Sequence, residues 1–350
     1  MTMVKAIVPV FDGHNDTLLR LEMSEREGTP ISFLEGSEKL NIDYPKAVEG
    51  GFAGGLFAIF VPPMKKLDSK PDFQSMVNEV EQPYALDMTN AMMARALRLA
   101  QKSEGRVRIC LTSADIKQAM ADNVIALMLH IEGAEAIDAD FNALDVLHAA
   151  GLRSIGPVWS RSNIFGHGVP FDFPGSPDSG PGLTDLGKEL VRRCGALNML
   201  IDLSHINEKG FWDVHAVSEK PLLATHSNVH AICPSRRNLT DKQLAAIAET
   251  KGLVGLNYSV GFLRPDGDKK QIDMDLDIMV DHLAYLVEKL GEDGVGLGSD
   301  FDGTTVPQRI GSCAGNPALI ERLRARAFGE ELIAKIAHKN WIAMLERSGI

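Results

Sequence analysis

Side chains of the kinds that bind divalent metals stand at the ends of apolar runs along this 350-residue chain. The first run ends in Asp12-Gly13-His14-Asn15-Asp16, the third in Glu132-Gly133, the fifth in Ser204-His205, the sixth in Thr225-His226 and the eighth in Ser299-Asp300. His14 and Asp16 lie two apart, so an extended backbone points both the same way. An imidazole with a carboxylate suits a divalent ion such as zinc. His205 and His226 form a second pair, and Glu132, with two oxygens, can bridge two ions. Taken alone, His-x-Asp is better explained by a turn or a capping aspartate, and His205 equally well by a satisfied, partly buried histidine. The signal is joint: three of the ten histidines fall at equivalent run ends, beside carboxylates.

What would gather these run ends is an alternation of short apolar runs with helical stretches. Runs at 7–12, 55–61, 124–131, 154–159, 199–203, 222–225, 253–257 and 294–297 predict eight strands. Stretches at 85–101, 143–150, 183–194, 243–249 and 276–290 predict helices. In the last of these, Leu276, Met279, Val280, Leu283, Leu286 and Val287 recur at helical spacing on one face. Strands separated by helices imply a parallel sheet, because a parallel connection needs a crossover. Eight such units predict an α/β fold, a single (β/α)₈ TIM-type barrel of the metal-dependent hydrolase kind, with a doubly wound open sheet as its rival. In a barrel the C-terminal strand ends share one face, where sites are built. Residues 17 to about 50 carry no clean period and read as an insertion over the mouth. Residues 165–182, rich in glycine and proline, read as a loop over the same end. A helical pattern over 317–350 is expected to pack outside the barrel. No linker or repeat interrupts the chain, so residues 1–350 are read as one domain.

Composition removes whole classes of function. With 45% apolar and 24% charged residues, wholesale disorder is excluded. Thirty-six basic against 47 acidic residues leave a net charge of −11, which disfavours nucleic acid and anionic membranes as partners. No apolar run approaches the roughly 18 residues of a membrane span. Residues 1–11 are too short and unflanked for a secretory core segment. The four cysteines are scattered and read as reduced thiols of a cytoplasmic protein. His130, inside an apolar run, reads as a core or supporting residue. His148, His215, His282 and His338 fall on helical stretches and read as surface residues. Gly50-Gly51 and Gly54-Gly55 precede no helix N-terminus, so no phosphate loop is assigned.

The ordered set of motifs resembles a known family. Asp12-Gly-His14-Asn-Asp16, Ile131-Glu132-Gly133, Ile201-Asp-Leu-Ser-His205, Thr225-His226-Ser227, Ser235-Arg-Arg237-Asn238 and Gly298-Ser-Asp300-Phe-Asp302-Gly303 are similar, in order and spacing, to the membrane dipeptidase (renal dipeptidase) family of zinc metallopeptidases. The resemblance spans essentially the whole chain and is to a soluble bacterial-type member. It implies an amidohydrolase-type barrel with two zinc ions per chain, and a homodimer. By that analogy His14 and Asp16 bind one zinc, Glu132 bridges, and His205 and His226 bind the other. Asp300 matches the acid–base aspartate, and Arg237 the arginine that holds the substrate carboxylate. Two departures stand out. Relatives of the mammalian enzyme carry a histidine after strand four that reaches the scissile carbonyl oxygen, and Ser160 stands in that place here. Polarisation of the carbonyl would then fall to zinc, to Ser160 or Arg161, or to His167 in the following loop. No counterpart of the secretory leader and lipid-anchor tail of the animal enzymes is expected.

The chemistry follows from the difficulty of the reaction, since water is a weak nucleophile and an amide a weak electrophile. Metal binding lowers the pKa of water from 15.7 to roughly 7. Asp300 would take its proton and pass it to the leaving amine. The planar, permanently charged fork of Arg237 suits a terminal carboxylate. The expected activity is zinc-dependent hydrolysis of dipeptides with a free C-terminal carboxylate, D-residues at that position included. The nearest alternative is hydrolysis of N-acyl amino acids or a β-lactam-type amide on the same two-zinc centre. A binding protein that had lost catalysis would lack a ligand or Asp300, and a metal-independent barrel enzyme would survive chelation.

Overall fold

The structure, a computed structural model, describes residues 7–63 and 76–350; the first six residues of the N-terminal stretch 1–11 lie outside that range. Nine strands form one sheet: β1 (Val10–Asn15), β2 (Phe52–Phe60), β3 (Val107–Ile109), β4 (Ile125–Glu132), β5 (Leu152–Gly156), β6 (Leu200–Ile201), β7 (Leu223–Ala224), β8 (Leu253–Leu256) and β9 (Val295–Leu297). They run in the order β6-β5-β4-β2-β1-β9-β8-β7, and every pairing is parallel. The two ends of that path meet: Asp202 bridges Leu223, and Leu203 N–H donates to Leu223 O at 2.9 Å. The eight expected strands therefore close into the expected barrel. β3 was not anticipated. It shares an edge of β4 with β5, pairing Ile125–Leu127 while β5 takes Leu129–Glu132. At three residues, with only Val107 buried, it is too short to carry a periodic signal.

The helices Gln82–Lys102, Asn142–Ala149, Asp185–Ala196, Asp241–Glu249 and Asp277–Leu290 coincide with the five expected. The insertion is less irregular than its sequence suggests, holding the helices Thr17–Arg26 and Tyr44–Gly50. Asp302 pins it to the barrel rim, accepting from Asn41 N–H at 2.6 Å and Thr17 Oγ1–H at 2.7 Å.

Along the barrel axis the interior is layered. Phe11, Leu56, Met128, Leu200, Leu223 and Leu253 form an apolar floor. Above it lies a polar layer of His130, Ser154, Asp202 and Thr225, all buried. Residues 126, 128, 130 and 132 of β4 step up through these layers, since alternate side chains of a strand share one face.

Two expectations need correction. The C-terminal helical pattern does not simply lie outside the barrel. Trp341, on the last helix (Asn340–Ser348), is fully buried in the floor layer and donates its indole N–H to Leu297 O at 2.9 Å. Glycine is required opposite it: a Cβ on Gly13 would fall 2.2 Å, and one on Gly296 2.5 Å, from the indole. His282 is not on the surface but fully buried, its Nδ1 accepting from Val229 N–H at 3.2 Å while Nε2–H donates to Leu263 O at 2.9 Å. A helix packed on a barrel hides one face, and His282 lies on that face with Met279 and Leu286. All four cysteines are free and buried. Among the described residues no helix is long and apolar enough to cross a membrane.

Candidate metal centre

The strand ends deliver their polar residues to one buried volume, as the barrel geometry requires. Glu132, the last residue of β4, is the hub. Its Oε1 lies 2.9 Å from His205 Nε2, 3.3 Å from His226 Nε2 and 3.5 Å from His14 Nε2. His14 Nε2 is also 3.6 Å from Asp16 Oδ2, and its ring stacks on His226 with centroids 3.8 Å apart. His14 and Asp16 meet for a different reason than strand alternation: β1 ends at Asn15, and Asp16 begins the helix Thr17–Arg26. Ligand atoms of His14, Glu132 and His226 form one potential metal set, those of His14, Asp16 and Asp300 a second, and those of His14, His130 and Asp202 a third.

The donor set fits a cation. Both ring nitrogens of His14 are buried without a hydrogen-bond partner. His205 and His226 bring their Nε2 atoms to 3.2 Å, with their Nδ1 atoms held from behind by Ser160 Oγ at 2.8 Å and Thr225 Oγ1 at 2.7 Å. Burial holds both imidazoles well below their ordinary range, so they are neutral and present lone pairs. Burial likewise pushes Glu132 well above the carboxylate range. For His14, burial opposes charge, but the carboxylates of Glu132, Asp16 and Asp300 overcome it and raise its pKa to about 10. Two bare imidazole nitrogens and three carboxyl groups converging on one buried volume make a donor set that a divalent ion can fill, displacing the proton of His14.

Asp300 comes from the turn after β9, which is fastened to β1 by side-chain and backbone hydrogen bonds alike. Ser299 donates to Asp12 through N–H at 2.6 Å and Oγ–H at 2.8 Å, and Asp300 N–H donates to His14 O at 2.9 Å. Asp300 itself adopts the left-handed region, φ 58°. Its Oδ2 accepts from Asn257 Nδ2 at 3.0 Å, and burial raises its pKa to about 6. Gly303 makes the approach of Asp300 to Asp16 feasible: a Cβ there would fall 2.0 Å from Asp16 Oδ2 and 2.5 Å from Asp300 Oδ1.

Arg237 is 3% exposed, and its Nε and Nη1 have no partner. Its Nη2 donates to His226 O at 3.3 Å, and the guanidinium carbon stands 5.4 Å from the Phe262 ring centre. Burial lowers its pKa to about 10. A buried guanidinium with two unpaired donors could satisfy them on an anion. Over the centre opens a cavity of about 260 Å³, walled by Phe60, Trp159, Phe171 and Phe262 with His205 and Asp300 exposed to it. That volume is of a size for a small substrate.

The structure does not bring every expected residue to this cavity: His14, His226 and Arg237 lie buried beside it without lining it. Ser160 is buried and faces the back of His205, not the open volume. His167 is not among the cavity's walls; its Nδ1 pairs with Ser162 Oγ at 2.8 Å on its own loop. Arg161 is locked to Glu135 at 2.6 Å and to Val61 O at 2.7 Å, behind the rings of Phe60 and Trp159. Asn257 also belongs to the site and ends a predicted strand as the ligands do. An amide neither titrates nor ranks as a metal ligand, so sequence alone does not single it out.

Comparison with known proteins gives the family. Residues 1–348 match the family model described as membrane dipeptidase (peptidase family M19). The chain is 47% identical over 261 residues, 75% of its length and 96% of the other's, to a Klebsiella pneumoniae protein described as "uncharacterized protein in pqqA 5′region". Among solved structures it is similar to a metallo peptidase from Rhodobacter sphaeroides liganded with a phosphinate mimic of the dipeptide L-Ala-D-Ala. That likeness has a TM-score of 0.92 at 47% identity and covers 98% of this chain and 100% of that one. A second solved structure, a dipeptidase described as a metallo peptidase of family M19, gives a TM-score of 0.91 at 48% identity, over 98% of this chain and 99% of that one.

Proposed function

The chain belongs to the membrane dipeptidase family, and on that premise we propose that it is a two-zinc dipeptidase whose centre is built from His14, Asp16, Glu132, His205 and His226. That it is a metallo-dipeptidase, a hydrolase acting on peptide bonds, follows from its family. The assignment of zinc, of two ions and of individual roles is our reading. His14 and Asp16 serve one ion, His205 and His226 the other, and Glu132 both. Bound divalent ions supply a Lewis acid there and bring the pKa of water down to roughly 7.

The observation that carries the substrate class is Arg237, buried beside the centre with two unpaired donors. Its Nε and Nη1 receive the C-terminal carboxylate of a dipeptide, which fixes how far the scissile bond lies from the carboxylates. Asp300, anchored through Oδ2 by Asn257, has Oδ1 free to accept a proton and return it to the leaving nitrogen. The four aromatic walls exclude bulk water and strengthen each polar contact inside. A D-residue at the C-terminal position is the further part of this proposal, supported by the dipeptide mimic bound to the Rhodobacter sphaeroides relative. Free buried cysteines support a cytoplasmic location, and a homodimer rests on the family resemblance alone.

Side-by-side kinetics on zinc-reconstituted protein test the reading. L-Ala-D-Ala and L-Ala-L-Ala type dipeptides should turn over, and their amidated and N-acylated counterparts should be poor substrates. Faster turnover of N-acyl amino acids would replace the dipeptidase reading with the N-acyl amidohydrolase one.

A further inference from the structure

We propose that Asp202 and Thr225 are positioning residues that fix His226 as its Nδ1–H tautomer and so aim the Nε2 lone pair into the metal centre. The proposal rests on the two-ion reading for its purpose, but its geometry stands apart from it. Asp202, 3% exposed, sits in the polar layer beneath the centre, one level below Glu132. Its Oδ1 accepts from Ser204 N–H at 3.1 Å, Ser204 Oγ–H at 2.7 Å and Thr225 N–H at 2.8 Å, and its Oδ2 accepts from Thr225 Oγ1–H at 2.6 Å.

Proton bookkeeping then leaves one arrangement. A carboxylate only accepts, so the single hydroxyl protons of Ser204 and Thr225 both go to Asp202. Ser204 has no second proton for Thr225 Oγ1, 3.2 Å away, and instead accepts from His226 N–H at 3.0 Å. Thr225 Oγ1 therefore meets His226 Nδ1, at 2.7 Å, with a lone pair, and the ring nitrogen must be the donor. The proton on Nδ1 leaves Nε2 bare, facing Glu132 Oε1 and His205 Nε2. Metal-bound histidines are commonly oriented by a carboxylate on their far nitrogen. Here one hydroxyl stands between, which lets a carboxylate in the layer below set the tautomer of a ligand in the layer above.

The test compares Thr225→Val with Thr225→Ser in the full-length chain, reading zinc affinity by chelator competition and the absorption spectrum of the cobalt-substituted protein. Valine keeps the shape but loses the hydroxyl, and serine keeps the hydroxyl. Thr225→Val should weaken zinc binding by about 10- to 100-fold, while Thr225→Ser stays within about threefold of the parent, with its cobalt spectrum unchanged. Equal affinity of Thr225→Val and parent for both ions would overturn the proposal, as would a serine variant as weak as the valine one. If Thr225→Val does not fold, nitrogen NMR of the unmutated, ¹⁵N-histidine-labelled chain reads the same point. His226 should carry its proton on Nδ1, and a proton on Nε2 would sink the idea. That reading holds with or without metal, so a chain that binds no ion would refute the two-ion function and leave the tautomer to be judged separately.

Discussion

Asp300 owes its place to a left-handed backbone, an amide from the neighbouring strand and a glycine three residues on, and each serves to bring its carboxyl against Asp16 without a clash. Replacing it by Asn keeps that shape and removes the proton acceptor. We expect Asp300→Asn to fold and to hold most of its metal while kcat falls by about 10²- to 10⁴-fold. Falling metal occupancy with partial rescue by excess zinc would make it a ligand instead. Asp302 is the matched comparison. Its oxygens are taken by Asn41 N–H, Thr17 Oγ1–H and Ile42 N–H, so Asp302→Asn should lower thermal stability and affect kcat far less. Arg237→Met removes a charge-assisted fork and should cost about 2–4 kcal/mol, or roughly 30- to 1000-fold in kcat/KM. The loss should shrink for a substrate amidated at its C-terminus; equal losses would remove Arg237 from the carboxylate role. At this scale much was legible, because residues that titrate or bind metals announce themselves at strand ends. Asn257, Gly303 and the Asp202–Thr225 pair did not, since what they contribute is a hydrogen bond, an empty space and a relayed proton.

At the scale of elements, apolar runs of four to eight residues marked the eight barrel strands, with limits shifted by a few residues. β1 shows why: it runs on through Asp12-Gly13-His14-Asn15, which hydropathy alone reads as the end of a strand. The helical segment after residue 316 was legible as helix but not as a plug. Nothing in its pattern distinguishes a tryptophan packed on a helix from one inserted among glycines of β1 and β9, because Gly13 and Gly296 lie more than forty residues away from it in the chain. The indole fills the barrel floor beneath the polar layer that carries Asp202 and Thr225. Trp341→Ala should therefore destabilise the protein by about 3–5 kcal/mol, the usual cost of truncating a buried aromatic. Denaturant unfolding measures this. A loss below about 1 kcal/mol would return the last helix to the outer surface.

The whole molecule joins these scales, with an apolar floor, a polar middle layer and a metal-binding face stacked along one barrel. We propose that residues 1–350 fold as one unit, which a single cooperative unfolding transition of the metal-loaded chain would support. Metal binding should also report on pH. The carboxylates around His14 raise its pKa to about 10, so below that pH an incoming ion must displace its proton. Affinity should accordingly fall as the pH is lowered, with proton release seen as buffer-dependent heats in calorimetry. The most direct measurement pairs metal analysis with activity on one preparation, before chelation, after it and after zinc is returned. The account predicts close to two divalent ions per chain, no dipeptide hydrolysis once they are stripped, and recovery of turnover with zinc. Full dipeptidase activity in a chain shown to be free of metal would contradict it.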